Sequence, residues 1–122
     1  MPRYFYDDAM RQVKCLSYIK DVEDLRDSHI ILIHEAVANT FRYMITKNIG
    51  IDSLIHTSSV CTLARQAYNC LDHYFNWPLS KLHDLDIQYM KITVEHKSGS
   101  VPETNSLVGT FIPMLESYYL FV

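Results

Sequence analysis

Apolar residues recur at helical spacing through the first two-thirds of the chain, and the rhythm changes near residue 86. Over residues 3–20, Tyr6, Ala9, Met10, Val13 and Leu16 share one side of a helix, with Asp7, Asp8, Arg11 and Lys14 on its other faces. Asp21 is placed to cap a second helix with acids in its first turn, running to about Lys47 and ending in Asn48-Ile49-Gly50. Its middle, Ile30-Ile31-Leu32-Ile33, is apolar nearly all round, which suits the central helix of a bundle. A buried strand competes there, since three of those four residues are β-branched. Asp52 opens the next element. Val60, Leu63, Ala64, Ala67, Tyr68, Leu71 and Phe75 then form the cleanest helical stripe in the chain, stopped by Asn76-Trp77-Pro78. Pro78 opens a short fourth helix over 79–85.

Beyond residue 86 the period shortens to two. Gln88, Met90, Ile92 and Val94 alternate with Tyr89, Lys91, Thr93 and Glu95, which predicts a strand. Lys97-Ser98-Gly99-Ser100 reads as a turn, extended by residues 101–105. Leu107 to Ile112 reads as a second strand interrupted by Pro113, and Ser117 to Val122 is an apolar, aromatic tail. The expected architecture is therefore α+β and mainly helical. It has three main helices, a short fourth, and a small C-terminal antiparallel β meander. One domain is expected over 1–122, with a helical part at 1–86 and a β-rich part at 87–122; a chain of this length carries one core.

Composition adds limits. With a net charge of −3 and no basic block, the chain lacks the clustered Lys and Arg that phosphate-dominated nucleic-acid binding needs. The acids Asp21, Glu23, Asp24 and Asp27 fit a helix N-terminus favoured by its dipole. Cys15, Cys61 and Cys70 are odd in number and contain no CxxC pair, and no apolar signal core follows the opening residues. Both features point to a reducing, cytoplasmic setting. Apolar runs are far too short to span a membrane.

Several constellations could carry chemistry. His29 and His34 stand five apart and do not share a helical face; hydrogen-bonded imidazoles inside a bundle are expected. His56 stands at the head of the apolar-striped helix, 27 residues before His83-Asp84. The stretch 54–86 thereby resembles the HD phosphohydrolase superfamily, whose paired His-Asp and earlier His gather a divalent metal. The resemblance implies metal ligation by His56, His83 and Asp84, although no aspartate follows Asp86 to supply the family's last ligand. Asp86 followed by Glu95-His96-Lys97 has the form of a nuclease acid and E-x-K, but an unbroken strand between them would hold the acids roughly 30 Å apart. No GxSxG elbow occurs, and three separated glycines form no phosphate loop.

The remaining signal is aromatic. Tyr4, Phe5 and Tyr6, then Tyr74, Phe75 and Trp77, then Tyr118, Tyr119 and Phe121 form three groups that either close one core or leave a patch for a partner. Without a convergent catalytic set, the chain is expected to act by binding another protein, in the manner of an inhibitor, immunity or accessory factor. Tyr74, Phe75, Trp77, Tyr118, Tyr119 and Phe121 are the candidate contacts, and no cofactor is expected. The two alternatives are the metal-dependent phosphohydrolase and a homodimer joined through the tail.

Overall fold

A computed structural model describes residues 3–70 and 77–119, the side chains of 69 and 70 excepted. Among the described residues the α-helices are α1 (Tyr4–Ile19), α2 (Arg26–Ile49), α3 (Val60–Cys70), α4 (Leu79–Thr93) and α5 (Val101–Tyr118). Short 3-10 turns at Glu23–Leu25 and Ile51–Ser53 flank α2. No strand occurs among the described residues. Asp21 lies outside the start of α2, whose N-cap position is taken by Leu25 without a side-chain hydrogen bond.

α2 is the axis of the bundle and touches all four other helices. Such a helix must be apolar around most of its circumference. Ile30, Ile33, Val37, Phe41, Met44 and Ile45 are all buried on it, so the Ile30 to Ile33 stretch is helix and the strand alternative falls. The polar residues it buries are satisfied locally or by neighbours. Thr40 donates to the Ala36 carbonyl at 2.7 Å, Thr46 donates to the Arg42 carbonyl at 2.8 Å, and the His29 ring donates to the Ile19 carbonyl at the end of α1. Gly50 ends α2 with a φ of 87°, a left-handed value that costs glycine nothing, and its N–H returns to the Thr46 carbonyl.

The expected C-terminal β meander is replaced by helix, which corrects the α+β assignment. The predicted short helix over 79–85 continues as α4 to Thr93. Leu82, Leu85, Tyr89 and Ile92, spaced three, four and three apart, face the bundle, while Leu79, Ile87, Met90 and Val94 face solvent. The alternation at 88, 90, 92 and 94 arose because it samples these two faces in turn. Gln88 and Ile92 point inward; Met90 and Val94 point outward. An outer face as apolar as the inner one imitates a period of two.

The second predicted strand, 107–112, lies in the middle of α5, where Thr104, Leu107, Phe111 and Leu115 form the buried line. Ser100 caps this helix by accepting from the Glu103 N–H at 3.3 Å, and Pro102 occupies its first turn. Pro113 lies on the exposed side. The carbonyl that loses its helical donor belongs to Gly109, which is also exposed, so that carbonyl faces solvent instead of being buried without a partner. Between α4 and α5 the chain turns at His96, whose φ is 55°, and the Lys97 N–H closes on the Lys91 carbonyl at 2.8 Å. Ser98 then donates to Asp27 at 2.7 Å, tying the connection to the start of α2.

Candidate functional site

Among the described residues, the Asp86 carboxylate on α4 accepts four hydrogen bonds. One of its oxygens accepts from the His34 ring at 2.9 Å and from the Val60 N–H at 2.9 Å. The other accepts from the Ser59 hydroxyl at 2.8 Å and the Cys61 N–H at 3.2 Å. Asp86 thus caps the N-terminus of α3 from a different helix, meeting the unpaired N–H groups and the positive end of the helix dipole together. Burial alone would raise the carboxyl's pKa; the hydrogen bonds from His34, Val60, Ser59 and Cys61 outweigh that and hold it at about 2. His34 is buried and stacked on Tyr89, with ring centroids 3.8 Å apart and planes 9° from parallel.

This arrangement joins α2, α3 and α4 through one carboxylate. Four donors fill the lone-pair positions of one carboxylate, leaving none for a metal or a substrate proton. Ser59 spends its hydroxyl proton on Asp86 instead of meeting a base. The Cys61 thiol is pushed up to about 11 by burial and by the Asp86 charge, so it stays protonated at neutral pH. Beside this hub a polar seam links α1 and α2 to the 54–59 loop. Gln12 donates to Glu35 at 3.3 Å, Asn39 donates to Gln12 at 3.2 Å, and Arg42 reaches Asn39 at 3.0 Å and the Thr57 carbonyl at 3.1 Å.

The HD-like residues do not meet. His56 is exposed in the loop before α3, and His83 and Asp84 are exposed on α4. His83 lines the groove between α3 and α4, whereas Asp84 lines the one between α4 and α5. Among the described residues, no group of three or more His, Cys, Asp or Glu side chains is placed to hold a metal ion. The nuclease-like spacing also dissolves, because Asp86 is occupied as a cap. Glu95 lies past the end of α4, about 13 Å further along at helical rise.

The aromatic candidates divide. Trp77 is only 7% exposed and packs between Phe41 and Phe111, with ring centroids at 5.1 and 6.1 Å. Tyr119 is buried and its hydroxyl meets Thr40 at 2.7 Å. Tyr118 is partly buried against the core, and burial pushes its hydroxyl up to about 12. Tyr74, Phe75 and Phe121 lie outside the described residues.

Apolar side chains are also exposed along the outer face of α4. Leu79 is 54% exposed, Ile87 39%, Met90 49% and Val94 60%. With His83 they follow one another at steps of four, four, three and four residues, a single stripe about 22 Å long. Beside it lies a groove of about 540 Å³ between α3 and α4, with Thr62 and Arg65 on one wall and Leu79, His83, Ile87 and Met90 on the other. Surface apolar residues are ordinary when scattered; four aliphatic side chains in register along one helix form a continuous patch. Sequence reasoning did not single out this face. Its signal was present as the apolar excess that made residues 88–94 look like a strand.

Searches of protein-family models, of curated proteins and of solved structures each returned no match for this chain.

Proposed function

We propose that the protein is a non-catalytic interaction module that binds a polypeptide through the outer face of α4 and the adjoining α3–α4 groove. The observation that carries this is the stripe of Leu79, Ile87, Met90 and Val94, joined through His83, which stays exposed on the same helix that buries Leu82 and Leu85. Covering such a stripe with the apolar side of a partner helix removes it from water. That is the usual way a helix-lined groove recognises a polypeptide. The saturated Asp86 carboxylate and the protonated Cys61 thiol favour binding over chemistry at this groove.

A photoreactive amino acid placed at position 90 tests this directly. In the cell of origin, irradiation is expected to join it to a polypeptide in high yield, while the same group at exposed position 14 on α1 gives little. Equal yields at the two positions would overturn the assignment of the surface.

A further inference from the structure

The residues of the α4 stripe are arranged almost palindromically about Ile87. Leu79 and His83 stand eight and four positions before it, and Met90 and Val94 stand three and seven after. A second α4 laid antiparallel across the first would set Ile87 against its own equivalent. It would set His83 against Met90, and Leu79 against Val94, of the second copy. Two further residues follow the same symmetry with opposite charge. Asp84 stands three before Ile87 and Lys91 four after, both on the flank of α4 turned toward α5. In an antiparallel pair the same flanks adjoin, so each Asp84 would face the Lys91 of the other copy. Neither side chain makes an ion pair or hydrogen bond within the chain among the described residues.

We infer that the occupant of the α4 face is a second copy of this chain, bound antiparallel with Ile87 near the two-fold axis. This rests on the reading of that face as a docking surface and names its partner. A two-fold interface has to be self-complementary, with each contact occurring twice. Here both the apolar positions and the charges satisfy that condition around one centre. A foreign helix would require no such internal symmetry. This dimer is reached through α4; of the aromatic tail, Tyr119 is buried in the core.

Sedimentation of the full chain over a wide concentration range tests the inference. The expected result is a concentration-dependent dimer. Ile87→Glu, which puts two carboxylates together at the axis, should weaken it on the order of a hundredfold. Asp84→Lys and Lys91→Asp should each weaken it about tenfold. An equimolar mixture of these two variants should recover the wild-type association, because each then faces the opposite charge. Circular dichroism of each variant confirms that the helices are intact. A wild-type chain that stays monomeric throughout overturns the dimer. So does a dimer indifferent to Ile87→Glu, or a mixture no tighter than its components. Crosslinking at position 90 to a different polypeptide, with a monomeric purified chain, would refute self-pairing while leaving the docking surface standing.

Discussion

The two faces of α4 carry similar residues and lead different lives. Leu82 and Leu85 on the inner face are completely buried against neighbouring helices, while Ile87 and Met90, two to eight residues along the same helix, are exposed. Burying a leucine is worth about 1.5–3 kcal/mol, so the inner face is accounted for by folding alone. The outer face gains less, since Leu79, Ile87, Met90 and Val94 keep much of their surface exposed. That contrast separates what holds the domain together from what it offers to another molecule, and substitutions on the two faces should separate in the same way.

The largest effect is expected inside. Leu85→Ala leaves a cavity among fully buried neighbours and should lower the unfolding free energy by about 2–5 kcal/mol in urea melts. Asp86→Ala strands the start of α3 and the buried His34, and should cost about 2–3 kcal/mol.

The pH dependence of that cap has a definite sign. Asp86 has a folded pKa of about 2, below its ordinary 3.8. Its stabilising contribution is therefore complete above the unfolded value, and is lost as pH falls from about 4 through 2. Replacing it with alanine should flatten the acid limb of a stability-against-pH curve in that window.

A smaller loss is expected where α4 meets the 97–100 connection. A Cβ on Gly99 would collide with the Gln88 side-chain oxygen. Gln88 is buried and donates to Glu103 at 2.7 Å, so Gly99→Ala must displace that amide and should cost about 1–2 kcal/mol by thermal denaturation. Least of all, Ile87→Glu and Met90→Gln should leave the melting curve of the isolated chain within about 0.5 kcal/mol of wild type. An outer-face substitution as damaging as Leu85→Ala would erase the distinction between the faces.

How far the sequence foretold this depended on whether each helix has one apolar side. α1 was readable at 3–20 and is found at Tyr4–Ile19. The all-round apolarity of residues 30–33 placed α2 at the centre, where it is. α4 was misread because its second apolar side corrupted the helical period. The Ser100-x-x-Glu103 capping signature of α5 lies within the stretch 97–105 that was read as turn and loop. Of the polar constellations, His56, His83 and Asp84 matched a linear pattern that the helices do not bring to one place. Asp86 meets Val60 across 26 residues of chain and has no local signature to find. The proposed docking face falls in the misread segment itself, since a surplus of apolar residues on a helix is noise for periodicity.

The most direct trial compares two methionines under hydroxyl-radical oxidation. Met44 is buried in the core and Met90 is half exposed on the stripe. In the dilute purified chain Met90 should oxidise much faster than Met44. In its native cellular extract, at working concentration, the Met90 rate should drop toward that of Met44. An unchanged Met90 rate in the extract would mean that nothing covers α4, and the face would have to be regarded as bare surface.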